Sequence, residues 1–132
     1  MKTKEGNILI NNFMGKQVDP VNYSSLIFRS QGYYHKDWNW LMPVLGKINN
    51  LKSLEKDSEW YDFTIQNRQI SKDNYETEET SKDYIISYTT YIGRVGEYSI
   101  NLGKICSNNS STMISSVWNC VIEFIQWYND NK

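Results

Sequence analysis

The chain contains no alanine at all, and among its 132 residues there are only one histidine, two cysteines and two prolines. A single histidine, His35, rules out a His-rich metal site. With only Cys106 and Cys120 beside it, the soft ligands are too few for a structural zinc. Two cysteines cannot staple a disulfide framework, so stability has to come from a packed core, and a reducing bacterial cytoplasm is the expected compartment. Neither sign of charge dominates: 14 basic side chains stand against 15 acidic ones, for a net charge of −1. That balance argues against a nucleic-acid binder working by bulk electrostatics. No apolar run nears the ~20 residues a membrane span needs, and Met1 to Asn7 carries no apolar signal core. Phosphate loops, dinucleotide fingerprints, serine nucleophile elbows and calcium loops are all missing. No cofactor is expected and none of these enzyme classes fits.

What the chain does have is ring-bearing side chains: five Trp, ten Tyr and four Phe, with 39% of residues apolar. That is ample material for the core of one domain spanning residues 1–132. Ile, Asn, Lys and Tyr supply 50 of the 132 residues. Their codons are AT-rich where those of alanine are GC-rich, so the composition points to an AT-rich bacterial or phage genome. The string Leu45-Gly46-Lys47-Ile48 recurs as Leu102-Gly103-Lys104-Ile105 with unlike flanks, so it marks no repeat.

Periodicity predicts a short N-terminal helix from Asn7 to Gly15, with Ile8, Leu9, Asn12, Phe13 and Met14 on its stripe and Gly15 as its C-terminal cap. So short a helix is marginal alone and must dock on the rest. A loop with Asp19-Pro20 and a short strand at Ser25 to Ser30 follow. Asp37 to Leu51 reads as a helix, with Trp38, Leu41, Met42, Leu45, Ile48 and Lys52 on the buried stripe. Its cap is either Asp37 or Asn39, depending on how Pro43 is accommodated. Tyr61, Phe63 and Ile65 alternate with polar neighbours as in a half-buried strand, and Tyr84 to Ile92 is β-branched and aromatic. Gly93 to Gly96 reads as a hairpin turn into a third strand through Tyr98, Ile100 and Leu102, with Cys106 to Ser110 as a loop. The clearest element is a helix capped by Ser110 or Ser111 and running to about Tyr128. Its stripe is Met113, Ile114, Val117, Trp118, Val121, Phe124, Ile125 and Tyr128. The expected architecture is α+β: an antiparallel sheet of three to four strands packed by two main helices plus the short N-terminal one. Trp118 and Trp127 lie about 180° apart on the last helix, more aromatic circumference than one sheet face covers, so a homodimer is expected to bury the surplus.

Three groups of residues are candidates for binding. Tyr33, Tyr34, His35, Lys36, Trp38 and Trp40 crowd into eight positions, a set suited to stacking on a nucleobase or to an aromatic protein-binding hot spot; it serves equally well to clamp a loop onto the core. The acidic stretch Ser71 to Asp83, with Asp73, Glu76, Glu78 and Glu79, can mimic a phosphate backbone in a basic groove, or simply be a solvated loop. Arg94 is one of three arginines, each suited to a phosphate. A Cys–His nucleophile pair needs His35 beside Cys106 or Cys120. Metal-dependent hydrolysis would need Asp37 and Asp62 to converge.

Phe13-Met14-Gly15, Tyr34-His35, Asp37-Trp38-Asn39-Trp40-Leu41-Met42-Pro43-Val44 with Lys47-Ile48, and Val121 to Asn129 make the chain similar to a group of small phage and prophage proteins, the phage α/β/α-sandwich domains. The resemblance covers both ends and the central helix. It implies a mobile-element protein acting as an accessory or counter-defence factor. The expected function is inhibition of a bacterial defence system by binding its effector, a host protein or ribonucleoprotein complex, as an anti-CRISPR does. The alternative is a sponge for a nucleotide signal, and a third reading is the metal-dependent hydrolase.

Overall fold

A computed structural model describes residues 3–16, 33–51, 59–71, 84–96 and 103–132. Three helices and three strands follow one another as α1 (Thr3–Phe13), α2 (Trp38–Asn50), β1 (Glu59–Ser71), β2 (Tyr84–Gly96), β3 (Gly103–Ser110) and α3 (Met113–Asn131). The strands form one antiparallel sheet in the order β1-β2-β3. This is the α+β arrangement expected. Among the described residues no helix is long and apolar enough to cross a membrane.

Alternation along the strands divides the sheet into two faces. Glu59, Tyr61, Phe63 and Ile65 of β1 share one face with Thr90, Ile92 and Arg94 of β2 and with Cys106 and Asn108 of β3. On that inner face Tyr61, Thr90 and Ile92 are fully buried. α3 lies across β2 and β3, and α2 against β1. α3 contributes Val117, Cys120, Val121, Phe124 and Ile125 to the core, α2 adds Leu41, Val44, Leu45 and Ile48, and α1 adds Ile10. Tyr61 is an aromatic hub, its ring 5.0 Å from Phe124 and 5.9 Å from Trp127, both edge-on. Ser116, fully buried on α3, ties the helix to two strands by donating to Thr90 Oγ1 (2.8 Å) and sharing a 3.0 Å bond with the Asn108 carbonyl.

Helix ends follow local chemistry. Asp37, in an extended conformation, caps α2 and accepts from the Asn39 amide at 2.9 Å, which settles the choice between Asp37 and Asn39. Pro43 then sits inside the helix, on its exposed side, where the missing donor leaves a carbonyl that water can reach. α1 closes through Gly15 at φ +81, with Lys16 N bonding Asn11 O and Gly15 N bonding Asn12 O. That is the left-handed glycine cap expected of it.

Several expectations need correction. α1 begins at Thr3 rather than Asn7, and its fully buried face is Gly6, Asn7, Ile10 and Asn11; of the expected stripe, Leu9, Phe13 and Met14 pack partly buried against the core, whereas Asn12 is exposed. α3 is capped by Thr112, whose Oγ1 accepts from Ser115 N at 3.3 Å, rather than by Ser110 or Ser111. Met42 and Met113, placed on buried stripes, are 48% and 40% exposed. Gly93 to Gly96 is not a turn: β2 runs through it, paired with β1 as far as Glu59. The register slips between Ile92 and Gly93, so the glycine marks a β-bulge. A Cβ at Gly93 would come within 2.8 Å of the Gly103 carbonyl, which is why the strands can approach there. Cys106 to Ser110 is the body of β3, not a loop. The proposed strands at Ser25 to Ser30 and Tyr98 to Leu102 lie outside the described residues, as does the acidic stretch beyond Ser71.

Candidate binding surfaces

The outer face of the sheet follows from the inner one by a shift of one residue. With Tyr61 and Phe63 turned inward, Trp60, Asp62 and Thr64 turn outward, opposite Val95, Gly93 and Tyr91, while Lys104 pairs with Gly93 from the other side. Every helix among the described residues packs on the inner face or on another helix. Trp60 is 41% exposed. It pairs across the strands with the half-buried Val95, forming a small apolar patch. Beside that patch the missing side chain at Gly93 leaves a recess of about 180 Å³, lined by Asp62, Thr64, Tyr91, Val95 and Lys104, with Arg94 adding to the wall. The Lys104 ammonium lies 4.4 Å from the centre of the Tyr91 ring. Asp62 accepts from the Phe63 amide at 2.9 Å. Asn49 of α2, its amide nitrogen turned toward β1, donates to both Asp62 Oδ1 and Tyr61 O at 3.2 Å. The recess thus joins one carboxylate, one ammonium and two hydroxyls next to an exposed indole.

A second cavity, of about 440 Å³, lies where the C-terminal ends of the three helices meet. Asn12, Phe13, Lys47, Leu51, Tyr128, Asn129 and Lys132 line it. Lys47 donates to the Phe13 carbonyl at the end of α1 and lies 4.7 Å over the Phe13 ring. Cations are favoured here because each helix ends with unsatisfied carbonyls.

The aromatic segment singled out in the sequence is mostly a clamp. Tyr34 is buried and donates to Asn11 Oδ1 at 2.7 Å. Its ring meets Trp40 edge-on at 5.4 Å, and the Lys16 ammonium lies 4.8 Å over the Trp40 ring. His35 Nδ1 accepts from Asn7 Nδ2 at 2.9 Å, while Asn7 Oδ1 accepts from Trp118 Nε1 at 2.9 Å. Asn7 therefore joins three segments, and α1 is fastened by amides as much as by apolar contact. Burial, and then the neighbouring Lys36 charge, hold the His35 imidazole below its usual pKa. Trp38 is half-buried at the margin of the core. Tyr33 meets His35 edge-on at 5.2 Å with Lys36 5.9 Å over its ring, and these two stay nearest the surface.

Of the other candidates, Arg94 stands on the inner face with a guanidinium nitrogen 3.7 Å from Glu59 Oε2. Asp73, Glu76, Glu78 and Glu79 lie outside the described residues. Asp37 and Asp62 do not converge. One caps the start of α2 and the other contacts Asn49 near its end, separated along the axis by about 18 Å at 1.5 Å per residue. Among the described residues no three His, Cys, Asp or Glu side chains cluster as metal ligands would. Trp118 packs against α1 at Gly6, while Trp127 meets Tyr61 edge-on and stays half-buried.

Sequence reasoning missed Trp60, Tyr91 and Lys104, although the strand phase that turned Tyr61 inward already turned Trp60 outward. It also missed Asn7 and Asn11, for which no periodic signal exists. No family model matches the chain, and neither a curated protein nor a solved structure is similar to it.

Proposed function

We propose that this chain is a non-catalytic binding protein, and that the outer sheet face around Trp60 is its working surface. The observation that carries this reading is the placement of the exposed indole beside the recess of Asp62, Thr64, Tyr91 and Lys104. A large, rigid aromatic anchor ringed by charged and hydroxyl groups is the composition of a protein-binding hot spot. The prophage resemblance supplies the partner's class, an effector protein or ribonucleoprotein of a bacterial defence system, which the chain inhibits by covering part of its surface.

The test is phage plating on hosts that carry single defence systems, with and without the chain expressed, followed by titration against the purified effector. Protection by the wild-type chain and its loss in Trp60→Ala and Lys104→Glu, both still folded, supports the reading. Hot-spot truncation costs about 2 kcal/mol or more, roughly thirtyfold in affinity. Unchanged inhibition by both variants places the working surface elsewhere.

The cavity at the helix ends favours a second reading, a nucleotide sponge. Lys47 and Lys132 would have to outweigh the helix C-terminal carbonyls to hold a phosphate, and the Asn12 and Asn129 amides suit a base edge. Calorimetry against mono-, di- and cyclic nucleotides separates the two: a sponge binds one, releases it unchanged, and loses it in Lys47→Ala.

A further inference from the structure

Cys106 on β3 and Cys120 on α3 face each other across the helix–sheet interface, their sulfurs 3.3 Å apart and neither bonded to another. Each sulfur also addresses the other residue's backbone: Cys106 Sγ lies 3.3 Å from the Cys120 carbonyl and Cys120 Sγ 3.8 Å from the Cys106 carbonyl. Two packed elements therefore hold the pair in register from both sides. The sulfurs need to approach by roughly a further 1.3 Å to reach covalent length. Cys120 is fully buried, whereas Cys106 is half-buried.

We propose that Cys106 and Cys120 are a reversible dithiol, and that a low-molecular-weight disulfide closes them into an internal cross-link locking β3 onto α3. The order of events follows from exposure. The Cys106 thiolate attacks one sulfur of the small disulfide, breaking its S–S bond and expelling one thiolate, which takes up the proton Cys106 lost. The Cys120 thiolate then attacks Cys106 Sγ in the mixed disulfide and expels the second thiolate, which takes the Cys120 proton. Two protein thiols and one small disulfide become one protein disulfide and two small thiols, with two electrons passed to the oxidant. Before the first step, the hydrogen bond to Cys106 and then burial push the Cys120 thiol well above its usual pKa, so Cys120 is not the first to react. The link sits mid-way along β3, where Cys106 pairs with Ile92 directly beside the bulge that shapes the outer recess. This proposal does not depend on what that recess binds.

The experiment incubates the full native chain with excess oxidised glutathione, then measures intact mass, maps non-reduced peptides, and compares the melting temperature with that of the reduced protein. The expected product is monomeric, lighter by two hydrogen atoms, cross-linked between Cys106 and Cys120, and reversed by dithiothreitol. Its Tm should be higher by roughly 5 °C or more, because a loop of this length restricts the unfolded chain. Cys120→Ala should stop at a stable glutathione adduct on Cys106, and Cys106→Ala should remain unmodified while folded. Wild-type protein that keeps both thiols, stops at the mixed disulfide or forms linked dimers overturns the proposal, as does a cross-link that leaves Tm unchanged. The wild-type measurements decide even if a variant fails to fold.

Discussion

Trp60 and Tyr61 are neighbours in sequence and opposites in circumstance. Tyr61 is fully buried, ringed by Phe124, Trp127 and Tyr128, while Trp60 keeps 41% of its surface on the other side of the same strand. One residue of strand phase separates an aromatic that holds the fold from one left open to solvent. The difference shows that aromatic content alone does not tell which rings are accessible; the face on which each ring stands does.

The largest break in that comparison is Tyr61→Ala, expected to cost about 3–5 kcal/mol in urea unfolding through the cavity it leaves. Next comes Gly6→Val. Because even a Cβ there falls within the Trp118 indole, overpacking should cost about 1–3 kcal/mol and loosen α1 first, read as faster amide exchange in residues 3–13. Asn7→Ala belongs to the same range, about 1–3 kcal/mol, since it strands both Trp118 Nε1 and its bond to His35. Removing a cap, as in Asp37→Ala, should cost about 1 kcal/mol. At the bottom of the scale stands Trp60→Ala, expected to lower stability by no more than about 0.5 kcal/mol while, on the proposed function, weakening partner binding roughly thirtyfold or more. Equal destabilisation by Trp60→Ala and Tyr61→Ala would erase the distinction between the faces.

A pH series sharpens the same contrast. The folded-state pKa of His35 lies below its value of about 6.5 in the unfolded chain. Its contribution is therefore whole above that pH and is lost as pH falls from there through the lower folded value, because burial and then the Lys36 charge disfavour the imidazolium, whose proton also occupies the lone pair that Asn7 donates to. The urea midpoint should drop between pH 7.5 and 5.5 in the wild type and less so in His35→Gln.

The two long helices were legible because their stripes meet a large apolar core: Leu41, Leu45 and Ile48, then Val117, Val121, Phe124 and Ile125. β3 was not, because Cys106-Ser107-Asn108-Asn109-Ser110 has the chemistry of a turn. Tertiary partners override it: Ser87 donates to Asn109 Oδ1, and the Asn108 carbonyl accepts from the Ser116 hydroxyl. Glycines at 93 and 96 read as a hairpin for a similar reason, since a bulge and a turn both call for small residues. The N-terminal helix misled differently, because its buried face is amides and a glycine rather than a greasy stripe. Among the site residues, the aromatic string from Tyr33 to Trp40 was visible as a cluster, but only the positions of Asn7 and Asn11 reveal that it faces inward.

The bond between Asn7 and Trp118 spans 111 positions. On a ribosome adding roughly 5–20 residues per second, the first helix waits about 6–22 s for the indole that secures it. Through that interval α1 can hold only the partners that Tyr34, His35 and Lys47 supply, so its docking is completed late. A chaperone that recognises nascent apolar peptides should therefore hold α1 until α3 has emerged.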